Sequence, residues 1–453
     1  MKKTINISTV IDTQPIGGFQ LRVFLLCAAV LFVDGFDVQG ITYVAPAISR
    51  EWGLPRGAFG PTFSAGLFGL MLGAILLAPL ADRIGRRRVI ILSCAAFGLG
   101  TLLTVWVGSL SALLVLRFFT GFGLGSALPN AIGLTSEYAP ERRRALVVMF
   151  VGSGISIGSI ASGMVAAQFV NTLGWRALFA AGGMLPLLLA VVLWLALPES
   201  IRFAALLPQG QEEASELLHK IRPEIGSGED VRIVSSDVHG GKAVVAHLFG
   251  DKRGPATIAL WVGFFMSLLN VYLAINWLPT SLNASGFTVP QAAFMTSLYH
   301  FGGVAGTYAI GLLMDRLGPH KMVLTALFLA LIGFYMFSSA PGLTQWPTTA
   351  VLMLAGFGVI GAQVGLTALS AITYPVAIRS TGLGWALGMG RIGSIVGPTV
   401  GGWLLATAAN PRSVYAVCVV PIAIGMAAVA LLMKYSRPAA AAPVSAMEKE
   451  EVQ

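Results

Sequence analysis

Long apolar segments separated by short polar loops run along almost the whole chain. About twelve of them are long enough to cross a bilayer as a helix, which takes roughly 20 residues. Their approximate limits are 21–48, 57–80, 89–108, 110–134, 145–170, 175–197, 255–280, 291–314, 320–339, 346–371, 381–406 and 413–434. This pattern predicts an all-α polytopic membrane protein with about twelve transmembrane helices.

One long polar stretch divides the twelve segments into two sets of six. Within it, residues 211–220 have the pattern of a short amphipathic helix on the membrane surface. Loops on the side of the termini carry ten Lys and Arg and those on the other side carry four, so both termini are predicted to be cytoplasmic. The predicted organisation is an N-terminal tail (1–20), a six-helix bundle (21–197), a central loop (198–254), a second six-helix bundle (255–436) and a C-terminal tail (437–453).

The two halves repeat each other. The motif that begins at Asp82 recurs at Asp315, and the Tyr-Ala-Pro motif ending at Pro140 has a Tyr-Pro counterpart ending at Pro375. The two motifs recur at nearly the same distance, so chance is a poor explanation. Two pseudo-symmetric bundles with a site between them are the expected architecture.

Composition agrees with this class. Hydrophobic residues make up 56% of 453 and charged residues 11%, against roughly 25% charged in a soluble domain. The net charge of +9 is explained by basic cytoplasmic loops, so no nucleic-acid partner is expected. The chain has no P-loop, no Cys/His cluster with metal spacing and no nucleophile–base constellation outside the apolar segments. We therefore expect neither an enzyme nor a metal site.

Two carboxylates interrupt the first apolar segment. Asp34 and Asp37 lie three residues apart, so they project from nearly the same face of a helix. A charged residue at mid-membrane costs at least about 2.5–3.5 kcal/mol, which indicates a function, and proton handling is the first candidate. The sequence leaves open which acid carries the proton, and Gly35 between them could bend the helix and decide which one faces a cavity.

Several motifs identify the chain as a member of a known family. The segment starting at Asp82 and the segment starting at Arg117 resemble the loop signature and the fourth-helix motif of the major facilitator superfamily, although Ala78 replaces the usual first glycine. Within it, the aromatic acid:proton symporters are most similar, through Asp34-Gly35-Phe36-Asp37, Leu128-Pro129-Asn130, Ser136-Glu137-Tyr138, Leu197-Pro198-Glu199-Ser200, Asn276-Trp277-Leu278-Pro279 and Gly390-Arg391-x-Gly393. The antiporter signature is absent from the fifth segment and the sugar-transporter signature from the twelfth, which argues against those branches.

Charged residues at the cytoplasmic ends of the helices are candidates for a gate. A cluster of Asp82 with neighbouring arginines could lock one conformation until the halves rock apart. The alternative is a positive-inside anchor, which is the favoured interpretation of Arg86. The complete candidate gate comprises Asp82, Arg83, Gly85, Arg86, Glu137, Asp315, Arg316 and Arg379.

Two arginines lie within apolar segments, where a guanidinium stays charged and needs an anion or water. The resemblance implies a role for Arg117 in proton coupling beside a carboxylate; the alternative is a structural ion pair. Arg391 could bind a substrate carboxylate through two parallel hydrogen bonds. The alternative for Arg391 is a cation near a helix end that reaches the membrane surface.

Uncharged groups complete the candidate substrate site. His300 could relay a proton or bind a substrate hydroxyl, or it could simply be satisfied by a neighbour. Tyr272 and Trp277 could form an aromatic slot or only pack. The amides that could bind substrate or tie helices together are Asn130, Asn276 and Gln363.

The resemblance implies a secondary active transporter that imports an aromatic carboxylate, of hydroxybenzoate or phenylpropionate type, with protons by alternating access. Its partners would be this small molecule, protons and the lipid of a bacterial inner membrane; it would act as a monomer. The proton gradient would drive transport, so no cofactor is expected. The alternatives are a proton-coupled carrier or exporter of another organic anion, and a membrane sensor of aromatic acids that does not transport them.

Overall fold

The computed structural model describes residues 3–55, 57–207, 210–222, 231–234, 245–250, 253–339, 342, 344–407 and 410–435, and these residues are almost entirely helical. The predicted C-terminal tail lies outside the described residues. The helices are α1 (Ile7–Thr13), α2 (Gly18–Glu51), α3 (Gly60–Leu76), α4 (Ala81–Ile84), α5 (Arg86–Leu103), α6 (Leu110–Leu124), α7 (Ala127–Tyr138), α8 (Glu141–Leu173), α9 (Trp175–Ala196), α10 (Ile201–Leu206), α11 (Gln211–Ile221), α12 (Gly254–Ala284), α13 (Val289–Leu317), α14 (Pro319–Ser339), α15 (Gln345–Thr373), α16 (Val376–Thr407), α17 (Val414–Val417) and α18 (Val419–Tyr435).

Nine spans in the described part of the chain are long and apolar enough to cross a membrane. Three further helices have the necessary length: α2 with 34 residues, α13 with 29 and α16 with 32. Helices α6 and α7 together form one span with a short break, and so do α17 and α18. The prediction of about twelve membrane helices is confirmed.

The same pairing of helices occurs in both halves. In the first half, α2 packs on α8, α3 on α6 and α5 on α9; in the second, α12 packs on α16, α13 on α15 and α14 on α18. In each half, therefore, the first span pairs with the fifth, the second with the fourth and the third with the sixth. This correspondence is the three-dimensional counterpart of the repeated motifs, and it confirms the predicted pair of six-helix bundles.

Glycine permits the closest of these contacts. A side chain at Gly35 in α2 would collide with the carbonyl oxygen of Ile155 in α8, and one at Gly158 would collide with that of Phe32. Helix α2 continues unbroken through Gly35. The glycine in the Asp-Gly-Phe-Asp motif therefore serves close helix packing rather than the bend that the sequence suggested.

The N-terminal segment and the central loop differ from the prediction. Residues Lys3–Asn6 form a strand, β1, that pairs in parallel with β2 (Val231–Val234), and α1 follows it. Helix α11 lies where the amphipathic pattern predicted a helix, but its apolar residues Ala214, Leu217 and Leu218 are buried in the protein. They pack in the same cluster as residues of α1 and α10, so protein rather than lipid covers this face.

The two halves meet mainly along three pairs of helices: α8 with α13, α3 with α16 and α2 with α12. Between α3 and α16, the Ser64 hydroxyl donates to the Ile395 carbonyl oxygen at 2.6 Å. Between α2 and α12, the Gln39 amide donates to the Ile275 carbonyl oxygen at 3.0 Å. Three of these helices, α2, α3 and α12, also line a cavity between the halves.

Candidate transport site

A buried ion pair joins α2 to α6. The Nη1 atom of Arg117 lies 3.4 Å from Oδ2 of Asp37, and the two residues are only 4% and 3% exposed. The Thr101 hydroxyl donates to the same carboxylate, while Nη2 of Arg117 lies 3.1 Å from the Thr104 hydroxyl. The Arg117 guanidinium also lies 5.2 Å from the centre of the Phe179 ring. Asp37 is thus held by one cation and one hydroxyl.

Asp34 has a different environment although it lies one helical turn away. It is 5% exposed, and it forms no ion pair with any described residue. The charged groups that act on it are Asp37 and Arg391, the latter from the opposite half of the molecule. Arg391 itself forms no ion pair within the described ranges. The two acids of the motif therefore differ in their partners.

A cavity between the halves lies against the ion pair. It contains about 470 Å³ of space free of protein atoms, some of which continues to the outside. Its apolar wall is formed by α2, α3, α6 and α12, and includes Phe63, Leu67, Leu70 and Ile275. The polar side chains that line it are Asp37, Gln39, Thr62, Arg117, Thr120, Tyr272 and Asn276.

Four of the predicted site residues therefore lie together at this cavity: Asp37, Arg117, Tyr272 and Asn276. The Asn276 amide donates to the Tyr272 carbonyl oxygen at 2.7 Å, which leaves its side-chain oxygen available.

Other predicted substrate residues have partners elsewhere. Trp277 is buried against Phe63 and donates to the Pro398 carbonyl oxygen at 2.8 Å, so it packs helices together. The Gln363 side-chain oxygen accepts from the Ser267 hydroxyl at 2.8 Å, and Asn130 donates to its own helix.

His300 is buried, and its Nε2 atom has no hydrogen-bond partner among the described residues. Neither His300 nor Arg391 lines the cavity wall described above. Their proposed roles in substrate binding remain predictions.

A second charged network ties the helix ends near the central loop. Arg86 Nε lies 2.8 Å from Glu137 Oε1, and the other oxygen of Glu137 accepts from the Ser200 hydroxyl. The neighbouring Glu199 carboxylate accepts from the backbone N–H of Arg87 at 3.0 Å. Burial raises the pKa of the Glu199 carboxyl, while the backbone N–H groups of Arg87 and Ser200 act in the opposite direction.

The backbone conformation at Gly85 and its contact with this network explain why a glycine occupies the position. Its φ angle of +95° is strained for other residues, and a side chain there would collide with the Glu199 carboxylate. Glu137, Arg86 and Gly85 are thus brought together as the gate prediction expected, with Glu199 and Ser200 as additional members. Their role in gating remains a prediction.

The remaining gate candidates are exposed. Asp82, Arg83, Asp315, Arg316 and Arg379 lie at the molecular surface, and none of them forms an ion pair with the residues that the structure describes. The present conformation therefore does not assemble the cluster of Asp82 with neighbouring arginines.

Sequence reasoning missed several groups at the site. Thr101 and Thr104 complete the environment of Arg117, and Gln39 joins the halves beside Asp37. Gln39 could have been found because it lies two residues after Asp37. The threonines gave no comparable signal, because hydroxyls are common in membrane helices and only packing brings these two beside a cation.

Two similar six-helix halves with a buried ion pair beside a cavity between them define a multi-pass membrane transporter. Residues 27–257 and 260–452 match the sequence profile of the Major Facilitator Superfamily, and the chain belongs to that superfamily. This membership confirms the predicted family and the prediction that the protein is a transporter and not an enzyme.

Among curated relatives, the "4-hydroxybenzoate transporter PcaK" of Pseudomonas aeruginosa is 38% identical over 94% of this chain and 95% of that protein. The "3-(3-hydroxy-phenyl)propionate transporter" of Escherichia coli is 35% identical over 90% and 93%. The solved inward-open structure of the xylose transporter XylE from E. coli superposes with a TM-score of 0.71 over 95% of this chain and 99% of that one, at 18% identity. The last similarity concerns the fold alone.

Proposed function

We propose that this protein imports an aromatic carboxylate of hydroxybenzoate or phenylpropionate type together with protons, by alternating access across a bacterial inner membrane. The observation that supports this most is the buried Asp37–Arg117 ion pair beside a largely apolar cavity between the halves. Relatives at 35–38% identity whose names specify transport of such acids support the substrate class.

The charge balance of the C-terminal half supports an anionic substrate. Between residues 255 and 435 the sequence contains one acidic residue, Asp315, and that residue is exposed. Arg391 therefore has no acid in its own half to neutralise it. A guanidinium at membrane depth needs an anion or water, so an anion for Arg391 would come from the other half or from a bound molecule.

Asp34 of the first half lies within electrostatic range of Arg391 but forms no ion pair with it. In this proposal Asp34 carries the transported proton, while Asp37 stays ionised beside Arg117. The reason is that a buried carboxylate already matched by a cation and a hydroxyl gains little from protonation, whereas an unmatched one gains much. Protonation of Asp34 would then remove a negative charge that acts on Arg391 without direct contact, and the substrate carboxylate would supply one in direct contact.

The cavity suits an aromatic ring, although Arg391 lies outside its wall in this conformation. Phe63, Leu67, Leu70 and Ile275 provide apolar surface, and Tyr272 and Asn276 add polar groups at its edge. Rocking of the halves along α3–α16 and α8–α13 would expose this space to alternate sides. The protein would work as a monomer, with both termini cytoplasmic and with the proton gradient as its energy source.

The test is uptake of labelled 4-hydroxybenzoate into proteoliposomes with an imposed pH gradient. The wild-type protein is expected to accumulate the acid only when the outside is more acidic. Asp34→Asn should abolish accumulation, because an asparagine cannot carry a proton to the inside. It should still exchange internal for external substrate, since the binding groups remain.

Two results would contradict the proposal. Accumulation by Asp34→Asn would show that another group carries the proton, and uptake that ignores the pH gradient would exclude symport. A panel that includes a dicarboxylate without a ring, such as succinate, separates an aromatic-acid carrier from a carrier of other organic anions. Binding without any uptake or exchange would indicate a sensor.

A further inference from the structure

Thr62 is a buried hydroxyl without a partner at the cavity. It lies in the first turn of α3 and is 1% exposed, and its Oγ1 atom forms no hydrogen bond with any residue that the structure describes. The same residue lines the cavity that contains Asp37 and Arg117. A buried hydroxyl without a hydrogen bond costs about 1–3 kcal/mol of stability. The presence of such a group at the cavity therefore requires an explanation.

Several other buried threonines in the membrane helices avoid this cost. Thr120, Thr135 and Thr296 donate to the carbonyl oxygen four residues earlier, at 2.7–2.8 Å. Four residues before Thr62 is Ala58, which precedes the start of α3 at Gly60. The hydroxyl therefore sits too early in the helix for the bond that the other threonines make.

Neighbouring polar side chains of the cavity already donate to the protein. The Gln39 amide donates to the Ile275 carbonyl and the Thr42 hydroxyl, the Asn276 amide donates to the Tyr272 carbonyl, and Thr120 is bonded as described. Thr62 differs from these three because its hydroxyl, which can both donate and accept, has no partner among the described residues.

We propose that the Thr62 hydroxyl binds a hydroxyl group on the substrate ring and so selects hydroxylated over unsubstituted aromatic acids. This inference rests on the proposed function, since it requires an aromatic acid in the cavity. A ring hydroxyl has the same dual capacity as threonine, and the apolar side chain of Phe63 next to Thr62 faces the same space. Thr62 is then a specificity-determining residue, while Arg391 binds the carboxylate that all these substrates share.

The experiment compares binding of 4-hydroxybenzoate and benzoate to the purified protein by calorimetry. Thr62→Val keeps the shape of the side chain and removes the hydroxyl; Thr62→Ser keeps the hydroxyl. We expect Thr62→Val to weaken 4-hydroxybenzoate binding about 10-fold and to leave benzoate binding within about twofold. Thr62→Ser should retain the wild-type ratio of the two dissociation constants.

The matched control is Ser64→Ala on the same helix, whose hydroxyl bonds to Ile395 and Thr399 and does not line the cavity. It should weaken both ligands equally or not at all. An unchanged ratio in Thr62→Val, with a thermal unfolding curve like that of the wild type, would overturn the assignment. If the wild-type protein bound neither acid, the proposed function itself would fail, which is a different result.

Discussion

The two halves have the same arrangement of helices but handle charge in opposite ways. Each ion pair in the described part of the chain lies in the first half: Arg86–Glu137, Arg117–Asp37 and Arg176–Glu51. The second half has a single acid, and several of its buried neutral polar groups lack a partner among the described residues, such as Asn270, Tyr299 and His300. The two halves share a fold but differ in charge. The first half contains acids that pair with its own arginines, whereas Arg391 in the second half has no buried acid in the same half.

The difference suggests how coupling arises between the halves. A cation that cannot be neutralised in its own half favours any state in which an anion reaches it from elsewhere. In the proposed mechanism the anion is either a carboxylate of the first half or the carboxylate of a substrate, and the position of a proton selects between them. The pseudo-symmetric backbone would then supply the rocking movement, and the asymmetry of charge would supply the coupling.

The largest expected effect concerns the buried pair of the first half. Arg117→Gln leaves Asp37 buried without its cation and is expected to lower the free energy of unfolding by about 3–5 kcal/mol. Adding Asp37→Asn should restore most of that stability, since no uncompensated charge then remains. Unfolding of the detergent-purified proteins by heat and by denaturant measures both values.

The control for this prediction is Arg176→Gln, which breaks the pair with Glu51. Both of those side chains are 44% exposed, so the loss should stay below about 1 kcal/mol. If the double variant were as unstable as Arg117→Gln alone, the pair would matter through packing and hydrogen bonds rather than through charge balance.

The next effect concerns the cation of the second half. Arg391→Lys keeps the charge but loses the planar guanidinium, so substrate should bind about 10- to 100-fold more weakly if two hydrogen bonds hold the carboxylate. The control is Arg379→Lys on the same helix, because Arg379 is exposed and forms no ion pair among the described residues. The affinity of this variant for the substrate should equal that of the wild type. Equal affinities of wild type and Arg391→Lys would place the carboxylate elsewhere.

The smallest effect concerns the neutral polar groups of the second half. Both polar side-chain atoms of Asn270 lack a partner within the described residues, although the residue is 1% exposed. Asn270→Leu should therefore change the free energy of unfolding by less than about 1 kcal/mol or increase it. Ser267→Ala, which removes the bond to Gln363, should lower it by about 1 kcal/mol. A loss above about 2 kcal/mol for Asn270→Leu would reveal a partner, such as an internal water molecule.

Much of the fold could be predicted because membrane helices must satisfy their backbone groups within one continuous apolar segment. The apolar runs therefore located the twelve spans, and the recurring loop motifs located the repeat. The strand β1 and its pairing with β2 could not be predicted, because each is four residues long and is stabilised by a partner more than 200 residues away. The covered face of α11 was misassigned for a similar reason: amphipathicity shows that a face is buried but not whether lipid or protein covers it.

At the site, the sequence by itself determined which groups are anomalous. Charged residues in apolar segments are costly wherever they lie, so Asp34, Asp37, Arg117 and Arg391 could be selected from their positions alone. Only the tertiary structure decided which of them are partners, because electrostatic matching depends on distances between helices that the order of residues does not contain. The structure pairs Asp37 with Arg117 and leaves Asp34 without an ion pair among the described residues. It also places Thr62 at the cavity with no hydrogen-bond partner among those residues, which the sequence could not show because helix packing forms the cavity.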